Sequence, residues 1–297
     1  MLEEFKNAFS RSNHAHVQLI LINVVIFVAL AILYVFSAIG GLDNLFTVVY
    51  RQFSLPPSIS EFAVRPWTLI TYSFSHSLKD IWHILFNMIS LYWFGRLFIE
   101  YLGNDRLIAV YVLGALAGGL LYLGLFNSVS FFQERAGIGM VGASASIYAI
   151  MVACATLVPD YTFFLMFFGP VRIKYIALFF ILLSFLGTVS SNAGGNLAHL
   201  GGAALGFVYV RQLQSGRNIG AWITSLLNWL SNLFSGRRRV KWTYHKNDKK
   251  ESPVSRGAEP VTVTQEEIDA ILDKISEKGY ESLSKEEKEK LFRAGRR

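Results

Sequence analysis

Apolar side chains run without a charged residue from Val17 to Ile39, and further long apolar stretches recur at 81–102, 107–127, 142–158, 175–189 and 195–213. About 20 apolar residues in helical conformation cross the hydrocarbon core of a bilayer, so the pattern predicts six transmembrane helices. The first run exceeds the ~7–15 apolar residues of a signal peptide core and is expected to stay as the first span. The connections are unequal. Residues 103–106 and 190–194 are read as short turns, whereas 40–80 is long, holds Pro56, Pro57 and Pro66, and is rich in Phe, Trp and Tyr. Long connections inside a compact domain are usually either functional or disordered; the aromatic content makes a folded loop lying in the membrane interface the expectation here.

Beyond Leu213 the periodicity changes. Trp222, Ile223, Leu226, Leu227, Trp229 and Leu230 recur at helical spacing with Thr224, Ser225 and Asn228 opposite, a segment too short to span and suited to lying in the interface. Pro253, Gly257 and Pro260 then discourage regular structure. Two capping-box signatures, Thr264 with Glu267 and Ser284 with Glu287, open two short helices; the first presents Ile268, Ile271, Leu272 and Ile275 on one face and stops at Gly279. The expected organisation is a cytoplasmic segment 1–16, a six-helix membrane domain 17–213, an interfacial helix 214–236, a basic linker 237–263 and a small cytoplasmic helical hairpin 264–297. The fold class is all-α and polytopic.

Composition agrees with that pattern: 53% of the residues are hydrophobic and 16% charged, against about 25% charged in soluble domains. Disordered and fibrous classes are excluded. The net charge of +7 is concentrated in 237–256, where eight Lys and Arg face only Asp248 and Glu251. Because this block directly follows an apolar region, it fits anionic lipid headgroups better than nucleic acid. Lys6, Arg11, Arg106, Arg172, Lys174 and the basic tail fall on one side, and Arg51, Arg65, Lys79 and Arg135 on the other. The positive-inside rule then makes both termini cytoplasmic, so the second, fourth and sixth spans enter from the external face. The single cysteine, Cys154, permits neither an internal disulfide nor a thiolate metal cluster.

Ionisable and polar side chains inside spans are costly and mark function by default. His83 and Asn87 fall in the second span, Ser144, Ser146 and Tyr148 in the fourth, and His199 in the sixth. Given the orientation, His83, Asn87, Ser144 and His199 all lie within about the first two turns of the external edge. A serine hydroxyl needs a neighbouring base to become a nucleophile, which His199 can supply. His83 and Asn87 stand i and i+4 on one face, and with the N–H groups opening the fourth span they can donate to a developing oxyanion. Glu100 and Asp105 sit at the opposite end, so a Ser–His dyad is expected rather than a triad. Small-residue ridges, Ala145, Ala149 and Ala153 in one helix and Ala198, Gly202 and Gly206 in the other, let two helices approach closely and make a Ser144–His199 hydrogen bond feasible. Tyr148 shares the face of Ser144 and can lie against the imidazole. No metal or other cofactor is expected, since HExxH and paired intramembrane Asp are both missing from the spans. Taken singly, each residue has a plainer reading as a helical serine bonding a carbonyl one turn back or as interhelical glue, but these readings do not account for a shared depth.

These residues resemble a known family. Gly142-Ala143-Ser144-Ala145 with Tyr148 is similar to the GxSx serine motif of the rhomboid intramembrane serine proteases, Ala198-His199 with Gly202 and Gly206 to their AHxxGxxxG motif, and His83 with Asn87 to their HxxxN motif. The resemblance covers about residues 15–213. It implies Ser144 as nucleophile, His199 as general base and acid, Asn87, His83 and the Ser144 N–H as oxyanion hole, and Tyr148 stacked on His199. It also implies a fifth span and a following loop, near 185–196, acting as gate and cap. Two positions depart from the pattern: Thr68 follows Trp67 where many members carry Arg, leaving Arg65 as the nearest substitute, and Ala145 stands where Gly is common. The tail hairpin resembles a short module of some bacterial rhomboids. The implied activity is endoproteolysis of transmembrane protein substrates near the external face of a cell membrane, with the oligomeric state open. The rivals are a catalytically silent client-binding relative and a small transporter; six unequal spans without an inverted repeat disfavour the latter.

Overall fold

The computed structural model describes residues 14–134, 137, 139–234 and 264–294. Most of the expected segment 1–16, Arg135 and the basic linker with Arg237–Arg239 lie outside the described residues. The chain divides into two compact units, Met1–Arg238 and Arg239–Arg297.

The first unit is mostly helical. Helices form over each of the six apolar stretches: α1 (Ala15–Ile39), α2 (Ile81–Leu102), α3 (Asn104–Ser128), α4 (Ser144–Leu157), α5 (Ile173–Gly187) and α6 (Ala193–Gln214). Among the described residues, α1 and α3 are long and apolar enough to cross a membrane by length and composition, and α4 and α5 are shorter apolar helices. The turn expected over 103–106 shrinks to Gly103 at φ 81°, because α3 starts at once and Asn104 Oδ1 accepts from the Ala15 N–H at 3.1 Å.

The centre of the unit is built where α3, α4 and α6 meet through small residues. A Cβ on Gly202 or Gly206 would run into the backbone carbonyls of Ala145 and Ala149, and a Cβ on Gly118 would lie 2.7 Å from the Ala145 methyl and from the Ala198 carbonyl oxygen. Ala145 and Ala149 are buried to 1% and 0%. Glycine and alanine are thus required here for backbone contact, which concentrates dispersion attraction that branched side chains would prevent. In contrast, α5 buries only Ile173, Ala177 and Ser184.

The long connection after α1 is folded, as its aromatic content suggested. It contains short helices at Asp43–Tyr50, Ile59–Ala63 and Thr68–Thr71 and is pinned to the bundle by Tyr72, whose hydroxyl donates to the Ala115 carbonyl at 2.8 Å. Arg65 reaches the Arg51 carbonyl at 3.1 Å and Glu61 at 2.5 Å, while the Thr68 hydroxyl donates to the Arg65 carbonyl at 2.6 Å. Arg65 therefore ties this loop to itself across the position where the family resemblance leads one to look for arginine.

The all-α expectation needs correction. Between α4 and α5, β1 (Thr162–Leu165) pairs antiparallel with β2 (Gly169–Arg172), Thr162 opposite Arg172 and Leu165 opposite Gly169. Phe163, Phe164 and Leu165 favour extended backbone, and Gly169 at φ 69° closes a three-residue turn. An unbroken apolar run over 163–168 carries no alternation, so periodicity could not separate this strand from a helix edge.

Beyond α6, α7 (Ala221–Phe234) packs on α3, burying Ile223 while leaving Trp222, Leu226 and Trp229 exposed. In the second unit, α8 (Gln265–Lys278) and α9 (Lys285–Ala294) form a hairpin. Both helices carry the anticipated boxes: Glu267 accepts from the Thr264 N–H, and Ser284 and Glu287 exchange backbone and side-chain bonds at 2.7 and 3.2 Å. Ile271 and Leu283 are buried, but Leu272, placed on the buried face by its spacing, is 48% exposed. Two short helices cover only a narrow stripe. Lys274–Glu287 and Lys290–Glu267 ion pairs bridge them at 2.8 and 2.7 Å.

In thermal unfolding of the detergent-solubilised protein, Gly206→Val lowers stability by about 1–3 kcal/mol or more. Gly124→Ala, where a Cβ meets nothing within 4 Å, is neutral or stabilising by up to about 1 kcal/mol. In the tail, the hydrogen bond from Lys274, then that from the Ser284 N–H, hold the Glu287 carboxyl down to about 2. A carboxyl depressed on folding stabilises above its ordinary value and loses that contribution as pH falls through its folded value. Helical 13Cα shifts of residues 265–294 in the full chain should therefore hold above the ordinary carboxylate range and decline as pH falls towards about 2, with Glu287→Gln removing part of the dependence and Glu267, held low by Lys290, accounting for the rest.

Candidate active site

The loop before α4 is shaped by the long connection. Leu55 and Met140 exchange two backbone hydrogen bonds of 2.9 Å, and the Gly142 N–H donates to the Tyr72 carbonyl at 3.0 Å. Gly142 has φ 132°, and a Cβ there would lie 2.8 Å from His83 Nε2. Only glycine both accepts that backbone conformation and leaves room for the imidazole. The chain then turns into α4, whose first residue is Ser144 and whose opening N–H groups have no partner within the helix.

Ser144 and His199 meet across the α4–α6 contact. His199 Nε2 lies 2.7 Å from Ser144 Oγ. The Tyr148 ring stacks on the His199 ring with centroids 4.3 Å apart and planes 13° from parallel. On its other edge, His199 Nδ1 lies 3.0 Å from Ser184 Oγ, which donates to the Tyr148 hydroxyl at 2.8 Å. The Tyr148 hydroxyl donates in turn to the Phe180 carbonyl at 3.3 Å.

His83, Asn87, Ser144, Tyr148 and His199 line one cavity of about 670 Å³. Asn87 is buried and its Nδ2 has no hydrogen-bond partner in the structure. A buried unsatisfied donor is costly, and one beside a serine–histidine pair is a donor available to an oxyanion. His83 packs edge-on against His76 at 5.1 Å between centroids, and His76 Nε2 accepts from the Ala143 N–H at 3.5 Å. The remaining candidate, Ser146, faces away and donates to the Tyr111 carbonyl at 2.7 Å, a structural bond between α4 and α3.

Every residue singled out as a site candidate from sequence except Ser146 is thus in or against this cavity, with Gly142 under His83 and Gly202 and Gly206 in the helix contact behind it. Two residues were missed. Ser184 is the one buried polar side chain of α5; its signal was a lone serine in an otherwise apolar run. His76, fully buried, belongs to the irregular loop, where no periodicity points to a facing.

Comparison with known proteins decides the family. A model described as the Rhomboid domain matches residues 63–215, a little over half of the chain. The chain belongs to the rhomboid family. This rhomboid is similar to RHOMBOID-like protein 12, mitochondrial, of Arabidopsis thaliana, at 34% identity over 52% of this chain and 48% of the relative. It is also similar to Rhomboid-like protein 16, chloroplastic, of the same plant, at 30% over 60% and 57%, and to Rhomboid protein 1, mitochondrial, of Saccharomyces cerevisiae, at 27% over 48% and 40%. The chain spans about half the length of the curated relatives it matches. Residues 262–296 match a separate family of unknown function, DUF6576. Membership makes the chain a membrane protein of an intramembrane protease-like family.

Gly142→Ala tests the turn. Backbone strain should cost about 1–3 kcal/mol of thermal stability and the new methyl should displace the His83 ring, whereas Ser146→Ala should be destabilising without altering the turn, read by whether His83 keeps its NMR shifts.

Proposed function

We propose that this rhomboid is a serine endopeptidase that hydrolyses peptide bonds in or near transmembrane segments of other membrane proteins. The observation that carries the reading is the 2.7 Å hydrogen bond between Ser144 and His199 at a cavity that also holds an unpaired Asn87 donor. Isolated serines and histidines in helices do not need each other. This pair, lined up across two helices that touch through glycine, has the geometry of nucleophile and base.

In the proposed reaction, Ser144 Oγ attacks the scissile carbonyl carbon as His199 Nε2 takes its proton. The carbonyl oxygen becomes an oxyanion that accepts from Asn87, His83 and the Ser144 N–H. His199 passes its proton to the leaving amine, the C–N bond breaks, and an acyl-enzyme remains. Water then attacks that ester with His199 again as base, releasing the new carboxylate and restoring Ser144. Preorganised donors aimed at developing charge in a site screened from bulk water supply a large share of such catalysis.

Six crossings with both termini cytoplasmic are part of the same proposal, supported by the apolar stretches and by the bias of Lys and Arg. The cavity then opens to the external face. A second, apolar cavity of about 880 Å³ between α2, α5 and the β-hairpin, lined by Trp93, Phe163, Tyr175 and Phe179, suits a hydrophobic helix; Phe180 borders both cavities. The thinly packed α5 and the loop after it serve as gate and cap, the loop held closed by Asn196, whose amide donates to the Gly187 and Asn192 carbonyls at 2.9 Å. Anionic lipid is the proposed partner of the basic block at 237–256, and α7 with its exposed Trp222 and Trp229 the proposed interfacial anchor.

The experiment is a fluorophosphonate probe and a transmembrane substrate offered to purified wild type and Ser144→Ala. Wild type is labelled and cleaves, and Ser144→Ala does neither. Activity persisting in Ser144→Ala removes Ser144 as nucleophile; absence of both in wild type favours a silent client-binding protein or a transporter. Asn87→Ala should lower kcat by roughly 10²–10³, as loss of an oxyanion donor does elsewhere.

A further inference from the structure

The hydrogen bonds around His199 have a direction. A hydroxyl has one hydrogen to donate, and a backbone carbonyl can only accept. The chain ends at the Phe180 carbonyl, which takes the Tyr148 hydrogen at 3.3 Å. Tyr148 then accepts from Ser184 at 2.8 Å, which uses the only hydrogen Ser184 has. The remaining 3.0 Å contact, between Ser184 Oγ and His199 Nδ1, is satisfied only if the imidazole is the donor. With the proton on Nδ1, Nε2 carries the lone pair and accepts from Ser144 at 2.7 Å.

We propose that Ser184 is a positioning residue: through the Phe180–Tyr148–Ser184 chain it holds His199 in the Nδ1-protonated tautomer, leaving Nε2 as the base for Ser144. This rests on the serine-protease reading above and supplies what a carboxylate supplies in a triad, where the third group fixes tautomer and orientation. A neutral hydroxyl does so without placing a charge in the bilayer, where a buried carboxylate is costly. The placement of Ser184 is otherwise hard to account for. It is 2% exposed on a helix that buries only two other residues, and it makes both of its bonds to the stacked Tyr148–His199 pair rather than to a carbonyl one turn back, the usual resort of a helical serine. Since α5 carries both Ser184 and Phe180, displacing α5 removes both the acceptor for Nδ1 and the carbonyl that orients the chain.

The test uses the full-length protein in micelles. In wild type with 15N-labelled histidine, the His199 ring, assigned by its loss in His199→Gln, should show a protonated Nδ1 and a bare Nε2 near neutral pH; a protonated Nε2 overturns the proposal. Ser184→Ala should lower kcat by about tenfold, the range expected for losing one neutral hydrogen bond, with KM changed little, and Ser184→Thr, which keeps the hydroxyl, should recover most of that loss. Unchanged kcat in Ser184→Ala, or a loss that Thr does not restore, overturns it. Cleavage surviving in Ser144→Ala would instead overturn the protease reading itself, so the two failures are distinguishable, and the tautomer measurement on wild type stands even if Ser184→Ala does not fold.

Discussion

The backbone contact between α4 and α6 is the constraint on which the site depends. Ser144 and His199 come from residues 55 positions apart, and neither helix has a reason of its own to present its polar side chain to the other. Gly202 and Gly206 remove the side chains that would hold the helices apart, and Ala145 and Ala149 offer their carbonyls to the vacated space. Once the axes are this close, Ser144 at the start of α4 and His199 less than a turn before Gly202 are within a hydrogen bond of each other. α3 closes the third side through Gly114 and Gly118, where a Cβ would fall 2.7 Å from the Ala149 and Ala145 methyls. The polar pair is held by packing of the smallest side chains, with little help from polar bonding between the helices themselves.

Around that contact the structure divides into a rigid and a yielding part. The loop before Ser144 is fixed by backbone bonds to Leu55 and Tyr72, and Tyr72 is itself anchored on α3, so the start of α4 is bound to the core from two directions. Asn87 and His83 come from α2, which packs on α4. On the opposite side stands α5, buried at three residues and tied to the site through Ser184. The Ser144–His199 pair thus sits on well-packed elements, and its outer partner Ser184 sits on a thinly packed one. That asymmetry suits the proposed protease, whose site would have to stay ordered while a hydrophobic helix approaches it.

Much of this was legible in the sequence because a bilayer makes polar residues conspicuous. His83, Asn87, Ser144, Tyr148 and His199 stand out against apolar surroundings, and the structure brings them to one cavity. The glycine and alanine ridges were visible as four-residue spacings in α4 and α6, although α3 as the third partner was not, since Gly114 and Gly118 sit among several other small residues. Ser184 was overlooked because a single serine in a helix has a cheap local partner. The β-hairpin has no readable period because 163–168 is apolar at every position and β2 is only four residues long. Arg65 and Thr68 show that a loop's internal bonds cannot be read by aligning a motif: the guanidinium serves Arg51 and Glu61, and the threonine hydroxyl serves the Arg65 carbonyl. Leu272, exposed despite its spacing, marks where periodicity overstates burial in a hairpin with little core.

Helix proximity, and not merely the presence of a serine and a histidine, makes the site. The most direct measurement is the second-order rate of fluorophosphonate labelling at Ser144 in Gly202→Ala, normalised to the folded fraction. The added methyl would meet the Ala145 carbonyl and push α6, with His199, from α4 while changing no polar side chain of the site. The account predicts a labelling rate at least about tenfold below wild type, corresponding to about 1.4 kcal/mol of lost alignment. A folded Gly202→Ala protein labelled at the wild-type rate would contradict it.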